Sequence, residues 1–205
     1  MIEKILHGNF KTKLRSKNKK QIILCHTARE VNEYLTSLKF RSNGKYERIP
    51  HFVVTRDGKV LQLLDPKSKP HFFNNDIMDK DSIVVCLENL GWLTKKPLSD
   101  SYLNWIGNIY KQEVYEKKWR DYSFWQPYTE DQLKSAAKIC VEMCNEFSIP
   151  KTFVGHNTKV ENIELFNGIT TKSNYNTRFT DLSPAFDFQN FVKFLDNEQI
   201  RSEIQ

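Results

Sequence analysis

The chain has 205 residues, which suits one domain with a single hydrophobic core and needs no disulfide scaffold. Hydrophobic residues make up 39% of it and aromatic residues 13%, which excludes an intrinsically disordered chain. The net charge of +6 indicates an anionic partner and leaves nucleic acid, an anionic membrane face and bacterial cell wall as candidates.

Residues 1–19 are polar and basic, and we interpret them as a lead-in to a single domain over residues 20–205. The N-terminal lysines are not followed by the apolar run that a signal peptide requires, and no segment is long enough to cross a bilayer. The four cysteines lack the dense spacing of a secreted disulfide framework, which favours a reducing compartment. Cys140 and Cys144 lie one helical turn apart and are assigned to the core.

The first half of the chain alternates strands and helices. Gln21–Cys25 is a continuous apolar run that predicts a buried strand. Thr27 and Glu30 fit a capping box and predict a helix that ends near Phe40. Asp57-Gly58 between two β-rich runs predicts a hairpin over His51–Leu64.

A third apolar run, Ser82–Leu87, predicts another buried strand. It is followed by an insert at about residues 91–128 in which Trp and Tyr alternate with Lys and Arg. One interpretation is that these aromatic side chains pack an extra helix against the sheet. The other is that they form a wall of a binding groove and cover the apolar faces of sugar rings.

The last third carries a capped helix that opens at Thr129, a short strand that ends at Gly155, and a closing helix over roughly Asp187–Leu195. His156 follows the short strand, and Asp181 precedes a Ser-Pro turn. These two residues can supply two of the three protein ligands of a metal ion. The third ligand should come from Ile22–Thr27.

This order of elements predicts an α/β domain with a central mixed β-sheet flanked by helices. Ligands collect at strand ends in such sheets, where Cys25, Glu88 and His156 fall.

The same order of segments resembles the zinc-dependent N-acetylmuramoyl-L-alanine amidases of the amidase-2 type, whose fold is shared with peptidoglycan recognition proteins and phage lysozyme-like amidases. The most specific part is the ending Asp-x-x-Pro-Ala-Phe-Asp-aromatic. The insert at Trp119–Tyr122 also resembles phage-type members. The matching segments are Ile22–Ala28, His51–Leu64, the loop at His71, Ser82–Gly91, Tyr128–Pro150, Val154–His156 and Asp181–Phe188.

The resemblance implies a Zn²⁺ ion held by three side chains, with water as the fourth ligand. His156 and Asp181 fall on the family's second and third ligand positions. Cys25 stands where the family has its first histidine, so a Cys-His-Asp site is expected, with His26 as the alternative first ligand. Neighbouring strand residues point to opposite faces, so only one of Cys25 and His26 can serve.

The implied reaction is hydrolysis of the amide between N-acetylmuramic acid and L-alanine by zinc-activated water. Three family residues are replaced here by Pro50, Cys86 and Phe179, where the family has Tyr, Glu and Lys. We therefore expect Glu88 to act as the general base and Arg178 to stabilise the oxyanion.

Substrate contacts are expected around the family's substrate loop, with Tyr46 as a further candidate for the site. His51, which begins a strand, is assigned a structural role. The substrate-binding candidates are His71, Phe72, Asn74 and Trp92.

Three rival hypotheses remain open. The first is a catalytically inactive peptidoglycan-binding module of the same fold. The second is a nucleic-acid binder, although no binding motif supports it. The third is a cysteine hydrolase with Cys25 as nucleophile, His156 as base and Asp181 orienting the histidine.

The sequence thus predicts a monomeric peptidoglycan amidase of the endolysin or virion-associated type, with muropeptide and not nucleic acid as its partner. A phage or prophage product of this kind would stay in the host cytoplasm until release and then act on the cell wall.

Overall fold

The computed structural model describes residues 2–5, 16, 18–44, 48–73 and 75–204, which form a six-stranded mixed sheet, a five-stranded antiparallel sheet and four α-helices. The strands are β1 (Ile2–Lys4), β2 (Gln21–His26), β3 (Phe52–Val54), β4 (Val60–Gln62), β5 (Ser82–Leu87), β6 (Trp92–Lys95), β7 (Tyr102–Leu103), β8 (Ile109–Tyr110), β9 (Tyr115–Trp119), β10 (Tyr122–Trp125) and β11 (Gly168–Thr171). The helices are α1 (Val31–Phe40), α2 (Asp76–Asp81), α3 (Glu130–Phe147) and α4 (Phe188–Ile204).

The large sheet has the strand order β1-β4-β3-β5-β2-β11. Strands β3, β5, β2 and the edge strand β11 run parallel, and β3 pairs antiparallel with β4 across the predicted Asp57-Gly58 turn. Both faces are covered: alternate residues of β2 and β5 pack against α3 and α4 on one face and against α1 on the other. Continuous apolar runs suit strands that are buried on both sides. The predicted central mixed sheet is confirmed.

The N-terminal segment contributes to the sheet. Ile2–Lys4 pairs in parallel with β4. The division into a lead-in over residues 1–19 and a single domain over residues 20–205 stays a prediction. Residue 1, residues 6–15 and residue 17 lie outside the described residues. Lys19 is buried, and its ammonium donates hydrogen bonds to the carbonyls of Ser68, Lys80 and Ser82.

The start of α3 follows its prediction, whereas the start of α1 does not. The Thr129 hydroxyl accepts a hydrogen bond from the Gln132 N–H, and the Gln132 side chain accepts one from the Thr129 N–H, so a capping box opens α3. The expected box of Thr27 and Glu30 is absent from α1. That helix begins at Val31, whose N–H donates to the Glu88 carboxylate instead.

The aromatic insert is a sheet and not the expected extra helix. Strands β6 to β10 form the antiparallel order β8-β7-β6-β10-β9 around a small core of its own. Trp92 stacks on Tyr122 with ring centroids 4.4 Å apart, and Trp125 is fully buried. Aromatic residues suit the packed, pleated surface of such a sheet. The insert lies where it was predicted along the chain, but its secondary structure is a β-sheet and not a helix.

The strands and the closing helix in the last part of the chain also differ from prediction. The expected strand ending at Gly155 is a single bridge between Phe153 and Ile169. Strand β2 pairs with β5 on one side and with β11 on the other, and β11 is a short run that was not predicted as a strand. The closing helix α4 runs to Ile204, beyond the predicted Leu195.

Among the described residues, no helix has the length and apolar character needed to cross a membrane.

His51 is structural, as expected. Its Nδ1 accepts the Val84 N–H at 2.9 Å and its Nε2 donates to the Ser68 carbonyl at 3.0 Å. Burial, together with the nearby charge of Lys19, lowers the pKa of His51 to about 3.

A pH dependence of stability follows from this depressed pKa. The unfolded chain takes up a proton at His51 below its ordinary pKa of 6.5 and the folded chain does not, so the contribution present above 6.5 is lost as pH falls toward 3. We expect the free energy of unfolding to fall by up to ~1.4 kcal/mol per pH unit in that window. Urea denaturation at about pH 7.5 and about pH 5.5 measures the loss, and His51→Gln should show a smaller one. An equal loss in both proteins contradicts this assignment.

Candidate functional site

A cleft of about 740 Å³ lies at the carboxyl ends of β2 and β11, as expected for a ligand site in an α/β sheet. Its charged lining is basic, with Asp181 as the one carboxylate among the described lining residues. The basic side chains come from the loop between β2 and α1, from the turn and loop after α1, and from the segment after β11. They are Arg29, Arg41, Arg48, Lys172 and Arg178.

Asp181 is the most interconnected group of the cleft. Its Oδ1 accepts the backbone N–H of His26 at 2.9 Å and lies 3.8 Å from the imidazole Nε2 of that residue. Its Oδ2 lies 3.5 Å from the Lys172 ammonium. Burial opposes ionisation of Asp181, but His26 and Lys172 outweigh it and hold the pKa of the carboxyl below its usual range. Asp181 is therefore an ionised carboxylate with both oxygens engaged.

A short segment after β11 sets this geometry. The Ser173 N–H and hydroxyl both donate to the Asp181 carbonyl, and the Asn174 side chain closes a capping box with Thr171. Lys172 begins this 3₁₀ turn, which runs from Lys172 to Asn174. Because β11 is paired with β2, the turn brings Lys172 to the end of β2, beside His26.

The sequence analysis missed Lys172. Its Nζ lies 4.6 Å from the Phe179 ring centroid and 5.6 Å from that of Phe72, within cation–π range of both. Burial works to lower the pKa of Lys172, but the adjacent Asp181 carboxylate outweighs it and raises the pKa above its ordinary value. The available signal was a lysine directly after the run Gly168–Thr171, which can be recognised only when that run is taken as a strand.

Cys25 is placed differently from a metal ligand. It is fully buried beneath the cleft, and its Sγ lies 2.6 Å from the Sγ of Cys86 on the neighbouring strand. Burial, and then the Cys86 thiol, raise the pKa of Cys25 well above its ordinary value. A thiol ligates metals and attacks substrates as its thiolate, so this placement argues against Cys25 both as first ligand and as nucleophile.

His156 does not join Asp181 either. It is exposed, its Nδ1 accepts the Thr158 N–H at 3.2 Å, and it is not among the lining residues of the cleft. The Asn174 side chain fixes the loop by donating to the His156 carbonyl. The alternative first ligand, His26, does lie beside Asp181, and its buried Nδ1 has no hydrogen-bond partner among the residues that the structure describes.

The residues as placed do not fit a zinc ion. Within the described part of the chain, no group of three His, Cys, Asp or Glu side chains is arranged to hold a metal. Only His26 and Asp181 of the four predicted donors come together, and an ammonium already neutralises that carboxylate. We therefore assign no step of chemistry to a metal.

Glu88, the predicted general base, is placed as a structural anchor outside the cleft. Its carboxylate accepts the Val31 N–H at 2.7 Å and the Arg56 N–H at 2.9 Å, so it ties the start of α1 to the β3–β4 hairpin. The side chain is buried and does not line the cleft. It lies one residue past the end of β5, where backbone N–H groups without strand partners converge.

The remaining candidates divide between the cleft and its surroundings. Arg178 lines the cleft and is exposed. Phe72 and Trp92 also line it, whereas His71 does not. Asn74 and Tyr46 lie outside the described residues.

The insert supplies an aromatic wall to the cleft, through Trp92 and Trp105. Trp105 lies under the Arg29 guanidinium, 4.5 Å from ring centroid to Cζ, and its indole N–H donates to the Ala28 carbonyl. The insert thus has two kinds of aromatic residue: Tyr110 and Trp125 are buried within it, although it is a sheet and not a helix, and Trp92 and Trp105 line the cleft. That the lining aromatics cover sugar rings stays a prediction.

Solved structures share this fold at low sequence identity. Staphylococcus aureus hydrolase AmiA, solved with its ligand, is 9% identical at TM-score 0.58, over 99% of this chain and 85% of that one. Endolysine LysCS from Clostridium intestinale URNW, an N-acetylmuramoyl-L-alanine amidase, is 11% identical at TM-score 0.54, over 96% and 95%. E. coli AmiD, solved with anhydro-N-acetylmuramic acid-L-Ala-D-gamma-Glu-L-Lys, is 14% identical at TM-score 0.51, over 89% and 59%.

Sequence comparison gives the family directly. No curated protein matches the chain, but the family model described as N-acetylmuramoyl-L-alanine amidase matches residues 15–171. That match spans more than half of the chain and includes the large sheet from β2 to β11. The chain therefore belongs to the N-acetylmuramoyl-L-alanine amidase family.

Proposed function

We propose that this protein binds peptidoglycan fragments in the cleft and hydrolyses the amide between N-acetylmuramic acid and L-alanine. The observation that carries the proposal is the cleft itself: in an amidase-family chain, a buried carboxylate, cationic side chains and an aromatic wall meet at the strand ends. The substrate named for AmiD has parts that would complement this cleft, namely a muramic acid ring and a peptide with carboxylates.

Each part of a muropeptide has a complementary surface in the cleft. Trp92 and Trp105 offer flat faces for a sugar ring. Arg29 and Arg178 offer forked donors that match peptide carboxylates. In the reaction, water adds to the amide carbonyl, the carbon–nitrogen bond breaks, and the alanine nitrogen leaves as an amine with the added proton. We propose that Arg178 stabilises the negative charge that develops on the carbonyl oxygen.

Arg178→Ala tests the reaction and this role together. Incubating purified sacculi with the wild-type protein should release stem peptides with a free L-alanine amine, detected by amine labelling and mass spectrometry. The variant should turn over about 100-fold more slowly, as for loss of one oxyanion donor. Lys193→Ala on α4 is the matched control, because it removes an exposed charge away from the cleft. No free alanine amine from the wild type rejects the hydrolase function.

A binding-only role is the second candidate, and one observation favours it. Two of the expected ligands, Cys25 and His156, do not converge on Asp181. A binding module would retain soluble muropeptide in a calorimetric titration and leave sacculi intact. The two measurements together separate the candidates.

We further propose that the protein is a monomer that works as a phage or prophage lysin or a virion-associated amidase. Two likenesses support this setting: the insert resembles that of phage-type members, and the LysCS neighbour is named an endolysine. Lysis or virion genes beside the coding sequence would support it, and their absence would count against it. Light scattering of the purified protein tests the oligomeric state.

A further inference from the structure

Lys172 places a positive charge beside Asp181, the carboxylate that the sequence resemblance assigns to a metal site. Its ammonium lies 3.5 Å from Asp181 Oδ2, between the rings of Phe72 and Phe179. The other carboxylate oxygen accepts the His26 N–H. A cation bound to Asp181 would have to share the carboxylate with this fixed positive charge.

The position of Lys172 is enforced by the fold. Thr171 lies in β11 directly before it, and Ser173 directly after it donates to the Asp181 carbonyl. Asn174 ties the same turn to the loop at His156. The lysine side chain is therefore anchored at its base on both sides, with its charge held by Asp181 at its tip.

The surroundings of this ammonium suit an anionic ligand. Five cationic side chains and one carboxylate are among the described residues that line the cleft, and that carboxylate is itself paired with Lys172 and contacted by His26. The described lining therefore carries an excess of positive charge, which would attract carboxylates. Peptides of the kind bound in the AmiD structure carry such groups.

We propose that the Lys172 ammonium is the resident cation of this cleft, so that it binds a carboxylate-bearing stem peptide without a divalent metal. This rests on the proposed function for the identity of the ligand. The site then differs from the metal centre implied by the sequence resemblance, because a side-chain charge stands beside Asp181 in place of an ion.

Metal content and ligand affinity test the proposal separately. Elemental analysis of the purified protein, after incubation with zinc and gel filtration, should find zinc well below one equivalent per chain. Calorimetric titration with a soluble muropeptide should give the same Kd in EDTA and in zinc. Lys172→Met should weaken binding by about 10- to 100-fold, as for loss of a charged hydrogen bond, and Lys172→Arg should retain most of it.

Lys59→Met is the matched control, because Lys59 is an exposed lysine that pairs with Asp57 away from the cleft. Circular dichroism of each variant separates lost binding from lost folding. Stoichiometric zinc in the wild type, or binding abolished by EDTA, overturns the proposal even if sacculi are cleaved. Metal-independent binding that requires Lys172 supports the proposal even if sacculi are not cleaved. Should no muropeptide bind at all, the proposed ligand is rejected. The zinc content then still tests Lys172 as the resident cation, because one equivalent of zinc per chain would overturn that assignment.

Discussion

Replacing Asp181 with alanine is expected to lower the free energy of unfolding by about 3–5 kcal/mol, the usual cost of breaking a buried ion pair on one side. The change leaves the Lys172 ammonium, 22% exposed, without its carboxylate. It also leaves the His26 N–H without its acceptor. Urea denaturation followed by circular dichroism measures the loss.

The double variant Asp181→Ala/Lys172→Met sharpens this test. Removing both charges eliminates the uncompensated ammonium, so the double variant should be more stable than Asp181→Ala alone. Asp100→Ala, which removes an exposed carboxylate on the insert, is the matched control and should change stability by less than about 0.5 kcal/mol. A double variant less stable than the single would show that the pair does not hold as described.

Gly168→Ala is expected to have the other large effect, a loss of about 3 kcal/mol or more from overpacking and backbone strain combined. Gly168 begins β11 at φ +144°. A Cβ at Gly168 would clash with the Thr152 carbonyl oxygen and would lie 2.8 Å from the Phe166 ring. The Thr152 carbonyl belongs to the backbone, so it cannot move aside as a flexible side chain can. Thermal and urea denaturation measure the loss. On the proposed function muropeptide binding should weaken as well, because Lys172 directly follows β11.

Gly107→Ala separates the two contributions to that loss. Gly107 also has a positive φ, +86°, but a Cβ there would meet nothing within 4 Å. Its alanine variant should lose only about 1–2 kcal/mol from the backbone conformation. Equal losses at the two glycines would mean that the close approach of Thr152 to β11 contributes nothing.

Local patterns predicted the fold well. The apolar runs at Gln21–Cys25 and Ser82–Leu87, the Asp57-Gly58 turn and the capping box at Thr129 are signals contained within a few residues, and each has the predicted structure. The helix start near Thr27 was wrong because a distant carboxylate, Glu88, satisfies the first N–H of α1. A cap supplied from another part of the chain leaves no local pattern.

The site was less predictable for the same physical reason. Asp181 and Arg178 were identified and do line the cleft. Lys172 was missed because its role depends on the pairing of β11 with β2, between residues more than a hundred positions apart. The aromatic insert was recognised by composition, but its short strands have too few residues for a period-2 pattern to separate them from a helix.

The two sheets of the molecule contribute different parts of the cleft. Its charged residues lie on loops and turns adjoining the large sheet, whereas Trp92 and Trp105 lie in the insert, whose small sheet packs around its own cluster at Leu90 and Leu93. On the proposed function, sugar contacts could therefore diverge by exchange of the insert, with the charges of the cleft left intact. A chimera carrying a relative's insert would be a direct way to retune glycan preference in this scaffold.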